Sequence, residues 1–220
     1  MPSDSNHIDL KIATTQDKDQ IIRFLRTFFY KDEPLNQSIG LVTPKEPIHE
    51  EAEAFSMINF DRGLSVLALD KKKLIGVCLS DVIDRNHKDA LPEVEDERFA
   101  KLIGLFDRLA NETKIFEEFP HADRGVVINV LSVDESYRGQ GIAKRMLNRI
   151  RDLGKENHCG FIKMDCTSLY SASAAKSLGF KLLYSLDYSD YLVNDEVVFR
   201  PKLPHIAATV YAQNIDHSTG

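Results

Sequence analysis

Residues 131–145 read LSVDESYRGQGIAKR, an apolar strand end that passes through a turn with two glycines into an amphipathic helix. Gly139 and Gly141 carry no side chain, so backbone N–H groups beside them can approach an anion closely. The start of the helix adds unpaired N–H donors and the positive end of the helix dipole. The stretch therefore predicts a phosphate cradle.

Two common phosphate-binding motifs do not fit this stretch. A Rossmann turn needs a third glycine where Lys144 stands, and a P-loop needs Gly-Lys-Ser/Thr, which is absent. Arg138, Gly141 and Ala143 instead resemble the Gln/Arg-x-x-Gly-x-Gly/Ala pattern of the GNAT acetyltransferases. Lys144 and Arg145 add positive charge, which faces either the phosphates or water.

The length and composition predict a soluble protein in one domain, residues 1–220. The chain is 43% hydrophobic and 28% charged, enough for a sizeable core. A net charge of −6 argues against a nucleic-acid partner, and no apolar run is long enough for a membrane span. Three cysteines without metal-like spacing predict reduced thiols and no metal site, and with a polar N-terminus they favour a cytoplasmic protein. A monomer is expected.

The pattern of apolar residues predicts an α/β domain with a mixed sheet. A first helix runs to about Phe29, and a loop containing Pro34 follows it. The other predicted helices are residues 48–60, 93–111, 113–120, 141–157 and 171–178. The predicted strands or extended segments are 8–12, 64–69, 74–79, 126–133, 161–166, 180–191, 196–200 and 206–212.

Several separated motifs resemble the insect arylalkylamine N-acetyltransferases, a GNAT family. The motifs are FFYKDEPLN (28–36), NVLSV (129–133), YRGQGIA (137–143), CTSLYS (166–171) with LGF (178–180), EVVFRP (196–201) and PH (204–205). They follow in the family's order, and the resemblance covers about residues 8–212. It implies the GNAT fold, a mixed twisted sheet flanked by helices whose splayed central strands admit the cofactor.

The resemblance implies that acetyl-CoA is the co-substrate, and that no metal takes part. Its pyrophosphate would bind the N–H groups of Arg138, Gly139, Gln140, Gly141, Ile142, Ala143 and Lys144. Its pantetheine arm would pair with the backbone of Leu131, Ser132 and Val133, where an N–H of Leu131 or Val133 would polarise the acetyl carbonyl. Ser168 joins the cofactor-binding set on the same ground.

Acetylation of an amine needs a base, because only the neutral amine attacks and an alkylammonium has a pKa near 10.4. The family's base matches Glu33, and its neighbour Asp32 is expected to face solvent. The resemblance places Tyr30, Glu33, Pro34 and His205 at the amine. Without the resemblance, Glu33 would be interpreted as a surface residue at a helix end.

The departing CoA thiolate needs a proton, and the resemblance assigns this work to Thr167 and Ser171. Ala175 stands where many GNAT enzymes have a tyrosine, so the chain departs from the general pattern there. Ser171 is equally interpreted as a helix cap, and solvent is an alternative acid. Cys166 has no histidine partner in its spacing, so a covalent acetyl-cysteine is not expected.

The acceptors that the resemblance implies are arylalkylamines: dopamine, tyramine, octopamine, serotonin or tryptamine. The alternatives are an acetyltransferase of non-aromatic amines (agmatine, polyamines or histamine), one that modifies protein N-termini or lysines, and a non-catalytic CoA-binding regulator on the same fold. Loops 37–47 and 84–97 are expected to decide among the amines.

Overall fold

The computed structural model describes residues 8–87 and 92–216; residues 88–91 of the predicted specificity loop lie outside them. The strands are β1 Ile8–Ile12, β2 Val66–Asp70, β3 Lys73–Asp84, β4 Arg124–Val133, β5 Phe161–Cys166, β6 Lys181–Asp187, β7 Leu192–Val193, β8 Glu196–Val197 and β9 Ala207–Asn214. The α-helices are α1 Lys18–Phe28, α2 Pro34–Ser38, α3 Glu50–Ser56, α4 Glu97–Thr113, α5 Ile115–Glu118, α6 Ile142–Glu156 and α7 Leu169–Ser177. Short 3-10 turns cover Thr15–Asp17, Glu135–Tyr137 and Tyr188–Asp190.

Seven strands form one sheet in the order β1-β2-β3-β4-β5-β9-β6. Neighbours are antiparallel except β4 and β5, which run parallel in the middle of the sheet. The predicted α/β class with a mixed sheet is confirmed. The helix that links β4 to β5 is α6, so the predicted cradle lies in the crossover between the two parallel strands.

Helices cover both faces of the sheet. On one face α6 buries Ile142, Met146, Leu147 and Ile150 against β2, β3, β4 and β5. On the other face α1 packs over β3 and β4, while α4 packs over β6 and β9. The sheet therefore lies between two layers of helices.

Alternation along β5 assigns its side chains to the two faces. Ile162, Met164 and Cys166 belong to the α6 cluster, so Phe161, Lys163 and Asp165 point to the α4 and α5 side. This strand matches the sequence prediction at both ends, because it is a central strand with an uninterrupted pattern. Its far end is where the candidate site begins.

Several segments differ from the sequence predictions. Strand β3 continues to Asp84, five residues beyond the predicted strand 74–79, and α4 begins at Glu97 and not at Glu93. Residues 34–38 form the short helix α2 and not a loop, because Pro34 disfavours helix at Glu33 yet suits the first helical position itself. In the extended segment 180–191, β6 ends at Asp187 and a 3-10 turn follows. In the segment 196–200, regular pairing is confined to Glu196–Val197, which forms a hairpin with β7.

Candidate active site

The central strands separate before β4 ends. Parallel pairing between β4 and β5 stops at Ile128 and Met164. Asn129 is an extra residue in β4, a bulge that bends the strand where the antiparallel register with β3 shifts. Beyond it, Leu131, Ser132 and Val133 pair with β3 and with no other strand of the described residues. Their backbone therefore offers one unpaired edge to an extended ligand.

The turn after β4 carries the predicted phosphate cradle. Gly139 and Gly141 have φ of +79° and +74°, the left-handed region that favours glycine. A Cβ built on either one meets nothing within 4 Å, so the space in front of them is open. Gly141 begins α6 without a side-chain cap, and the helix has no acidic residue in its first turn. Its first N–H groups thus point to open space at the positive helix end.

The charged residues near the cradle divide into two groups. Arg138, Gln140 and Lys144 are exposed, and the Arg138 Nε donates to the Val133 carbonyl at 3.2 Å, which holds the arginine at the end of β4. Arg145 donates to the carbonyl of Ile8 and so anchors the first strand. Of the two cations predicted to face phosphate or water, Arg145 has a structural bond and Lys144 faces open space.

Asp134 fixes the turn, although sequence reasoning did not single it out. Its buried carboxylate accepts from the Ser136 N–H at 3.0 Å and from the Ser136 hydroxyl at 2.6 Å. Lys73, from the β2–β3 hairpin, donates to it at 2.8 Å. Burial by itself raises the pKa of Asp134, but the bonds from Lys73 and Ser136 lower it overall. The signal in the sequence is an aspartate two residues before a serine, a common turn cap.

Glu33 caps α2 with a buried carboxylate. Its Oε2 accepts from the Asn36 N–H at 2.6 Å, while Oε1 is buried and has no hydrogen-bond partner of good geometry among the described residues. Burial raises the pKa of Glu33 to about 7, against the opposing influence of the Asn36 N–H, the Thr167 side chain and the Leu35 N–H. A carboxyl with this pKa exchanges protons near neutral pH. Asp32 beside it is exposed, as predicted.

Thr167 and Ser168 connect the end of β5 to α7. The Thr167 side chain is close enough to Glu33 to lower its pKa, so two predicted catalytic residues from distant parts of the chain come together. Ser168 is the N-cap of α7, and its hydroxyl accepts from the Ser171 N–H at 3.0 Å. Predicted as a cofactor residue, Ser168 thus also has a capping role.

Ser171 belongs to the same cap. Its hydroxyl lies 2.9 Å from the Ser168 hydroxyl and 3.0 Å from the Ser168 carbonyl. Burial raises the pKa of the neighbouring Cys166 thiol to about 12, against the opposing influence of the Ser171 side chain. The alternative interpretation of Ser171 as a helix cap is therefore seen in the structure, while its role as an acid stays a prediction.

The predicted amine-binding residues divide between the core and α7. Tyr30 is buried in the cluster of α1 with Met57 and Phe60, and burial raises its pKa to about 12. Pro34 is buried beside Glu33. His205 accepts from the Leu169 N–H through Nδ1 at 3.1 Å, so the bonds of the described residues link it to α7 and not to Glu33. Its contact with an amine stays a prediction.

Tyr188 is a site residue that sequence reasoning missed. Its hydroxyl donates to the Thr167 carbonyl at 2.6 Å, and its buried ring lies close enough to Glu33 and Cys166 to sense both groups. Burial raises the pKa of Tyr188 far above its usual range, so the phenol stays neutral. It lies in a segment predicted to be extended, where one tyrosine among several has no distinguishing pattern.

A separate cleft of about 770 Å³ lies between α3 and the segment before α4. Two of its carboxylates have structural partners: Glu51 accepts from the Glu95 N–H at 2.6 Å, and Asp96 caps α4 and binds Arg98. The described residues contain no group of His, Cys, Asp and Glu side chains arranged to hold a metal ion, and none of their helices is long and apolar enough to span a membrane. The splayed strands, not this cleft, hold the candidate chemistry.

Residues 27–180 match the model of the acetyltransferase (GNAT) family. Among solved structures, arylalkylamine N-acetyltransferase 2 from Aedes aegypti is 28% identical, with a TM-score of 0.88 over 96% of this chain and 100% of that one. The mosquito arylalkylamine N-acetyltransferase like 5b is 24% identical, with a TM-score of 0.83 over 94% and 99%. A Drosophila melanogaster polyamine N-acetyltransferase that forms N-acetylagmatine is 21% identical, with a TM-score of 0.80 over 94% and 99%.

Proposed function

Because the chain belongs to the acetyltransferase (GNAT) family, whose donor is acetyl-CoA, we propose that it acetylates the primary amine of an arylalkylamine. Dopamine, tyramine, octopamine, serotonin and tryptamine are the proposed acceptors. The likeness to the Aedes aegypti arylalkylamine enzyme supports this substrate class, and the geometry of the site supports the chemistry.

The half of the proposed site that binds the acetyl donor consists of the gap between the separated ends of β4 and β5 and of the phosphate cradle. The pyrophosphate binds the N–H groups from Arg138 to Lys144, at the uncapped start of α6. The pantetheine arm pairs with the free edge of Leu131, Ser132 and Val133. An N–H of Leu131 or Val133 then donates to the acetyl oxygen as negative charge develops on it.

The acceptor half centres on Glu33. An ammonium that enters the buried space beside Oε1 loses its hydration, which lowers its pKa toward that of the carboxylate. Glu33 takes a proton from the ammonium, directly or through one water. The neutral nitrogen attacks the acetyl carbon and forms the C–N bond. As the tetrahedral intermediate collapses, the C–S bond breaks and the nitrogen releases its second proton to solvent or to the hydroxyl that protonates the thiolate.

The leaving thiolate takes a proton from a hydroxyl near the end of β5 or from solvent. Thr167 is the nearer of the two hydroxyls to Glu33, and Ser171 lies next to Cys166. A protonated Cys166, buried and with a pKa of about 12, is a poor nucleophile, which supports direct transfer in a ternary complex over an acetyl-enzyme.

The observation that carries the proposal is the buried Glu33 carboxyl with a pKa of about 7 beside Thr167, where β4 and β5 part. We expect Glu33→Gln to lose most acetyl transfer at neutral pH and to recover part of it at high pH, where more of the amine is already neutral. Asp32→Asn is the matched control, since it neutralises the exposed neighbouring carboxylate.

The assay is thiol release from acetyl-CoA with a panel of amines at fixed donor concentration. The panel contains arylalkylamines, agmatine, a polyamine, histamine and a peptide N-terminus, because the structures similar to this chain include both arylalkylamine and polyamine acetyltransferases. An unchanged rate in Glu33→Gln across the pH range would refute the base assignment. Binding of acetyl-CoA without turnover of any amine would favour the regulator instead.

A further inference from the structure

A buried ion pair lies on β5, the central strand that leads to Thr167. The Lys163 Nζ is 2.9 Å from the Asp165 Oδ2, and the two side chains are only 5% and 15% exposed. Charges in such a position are costly unless every polar atom is satisfied. The pair therefore needs a reason beyond packing.

One oxygen of the pair is not satisfied. The Asp165 Oδ1 is buried and has no hydrogen-bond partner among the described residues, a condition that it shares with the Glu33 Oε1. Buried polar atoms in native proteins nearly always have a partner, so an exception points to a donor supplied from outside the chain. The Lys163 ammonium already donates to Oδ2, so Oδ1 needs a different donor.

Asp165 and Glu33 are on the same face of the sheet. Asp165 lies directly opposite Val210 of β9, and directly opposite residues of an antiparallel pair share a face. Val210 belongs to the apolar cluster that contains Leu35, two residues after Glu33 in the chain, and Tyr188, which is near enough to Glu33 to be influenced by its charge. Asp165 therefore faces the proposed amine side and not the α6 side.

The strand geometry also sets the distance. Asp165 is the first residue of β5 beyond the last pair with β4, so it lies where the two strands begin to separate. Thr167, beside Glu33, is two residues further along, or roughly 6.5 Å of extended chain. A ligand whose amine is at Glu33 would reach Asp165 with a group at the far end of a short chain or ring.

We propose that Asp165, held by Lys163, is the specificity residue of the acceptor site and accepts a hydrogen bond from a second donor at the far end of the amine. This inference rests on the proposed function and defines its substrate class more narrowly. Matching substrates carry a ring hydroxyl or a guanidinium group. Amines of the same shape without that donor leave Oδ1 unpaired and are disfavoured.

The test compares matched amines by thiol release from acetyl-CoA. Tyramine is paired with phenethylamine, and agmatine with 6-methylheptylamine, so each pair keeps the shape of the amine and differs in the distal donor. We expect the wild-type kcat/KM ratio to favour the donor-bearing member of at least one pair by about tenfold or more. In Asp165→Ala, which removes both acceptor oxygens, that ratio should fall close to one, while the exposed control Asp152→Ala keeps it. Which pair responds identifies hydroxyl or guanidinium as the donor.

A second variant keeps the inference testable if the first variant misfolds. If Asp165→Ala does not fold because Lys163 loses its anionic partner, the double replacement of Lys163→Met and Asp165→Leu removes both charges together. A selectivity ratio unchanged from wild type in either folded variant, or a wild type indifferent to the distal donor in both pairs, would overturn the inference while acetyl transfer itself stands. A wild type that acetylates no amine would overturn the proposed function and this inference with it.

Discussion

Tyr188 donates its hydroxyl to the carbonyl oxygen of Thr167 at 2.6 Å. The bond joins the 3-10 turn after β6 to Thr167, the residue that follows β5. It therefore fixes the backbone of Thr167, whose side chain lies near Glu33. Because Tyr188 also lies close enough to Glu33 to be influenced by its charge, one buried phenol helps to set the surroundings of the proposed base. The strand end, the turn and α2 therefore act as one structural unit.

Tyr188→Phe should disturb this unit in a measurable way. Loss of the hydroxyl leaves the Thr167 carbonyl without its donor, which should lower the free energy of unfolding by about 1–3 kcal/mol. A Thr167 that is less well fixed also lowers the Glu33 pKa less, so the acidic limb of the kcat/KM profile should move to higher pH.

The control for this variant is Tyr184→Phe on β6, a half-buried tyrosine packed against the same cluster. It should leave the pH profile unchanged. If Tyr188→Phe lost stability but kept the wild-type pH profile, Tyr188 would be a packing residue without influence on Glu33.

The raised pKa of Glu33 predicts how stability depends on pH. Between about 4.5 and about 7 the unfolded chain has released this proton while the folded protein still holds it, so the carboxyl reduces stability as pH rises through that window. Glu33→Gln removes the effect. The variant should be more stable than wild type at about pH 8, by up to about 3 kcal/mol, and the two should converge near pH 4.5.

Urea unfolding of both proteins across this pH range measures the difference, with Asp32→Asn as the control for an exposed carboxylate. A constant gap between wild type and Glu33→Gln at all pH values would show that Glu33 titrates normally in the folded protein. Such a result would also remove the main evidence that Glu33 is the general base.

Much of the fold was predictable because the relevant signals are local. Periodicity predicted α6 to within one residue at each end and β5 without error, since both elements bury one regular face. Helix α2 was missed because five residues give no period, and its existence depends on Pro34 and the Glu33 cap. The 3-10 turn at Tyr188–Asp190 was missed for the same reason.

The site was predictable only in part. A glycine-rich turn before a helix is a local pattern, so the position of the cradle followed from residues 131–145 alone. Glu33 depended on the family resemblance, because nothing near it in sequence shows that its carboxylate is buried. Tyr188 and Asp165 could not be recognised, since their importance arises from contacts between strands that only the folded sheet brings together.

Gly141→Val should weaken acetyl-CoA binding by at least about tenfold. The left-handed φ of +74° is strained for any side chain, by roughly 1–2 kcal/mol, and a branched one also fills the open space in front of the helix N-terminus. Gly63→Val is the matched control, with φ of +82° and equally open surroundings away from the cradle. Isothermal titration with acetyl-CoA should separate the two, and equal affinities would contradict the cradle.

Asp134→Asn should destabilise the turn that carries the phosphate cradle. The neutral side chain weakens the bonds from Ser136 and Lys73, so both stability and acetyl-CoA affinity should fall, with a stability loss of about 1 kcal/mol or more. Lys73→Met should have a smaller effect, because Lys73 is 57% exposed and such pairs contribute little. A larger loss from Lys73→Met than from Asp134→Asn would show that the ion pair, and not the cap, holds the turn.

Ser171→Ala separates the two roles that this residue could have. As part of the α7 cap its hydroxyl bonds to Ser168, and its loss should lower the free energy of unfolding by about 1 kcal/mol. Ser168→Ala removes the partner of that bond and should be as destabilising or more so, since Ser168 is the N-cap itself. If Ser171 is also the acid for the thiolate, Ser171→Ala should lower kcat far more than Ser168→Ala does at equal stability. The loss of kcat in Ser171→Ala should be smaller with a thioester donor whose leaving thiol is more acidic, because such a thiolate needs less help from an acid. Equal kcat values for the two variants would assign Ser171 to the cap alone and leave Thr167 or solvent as the proton source.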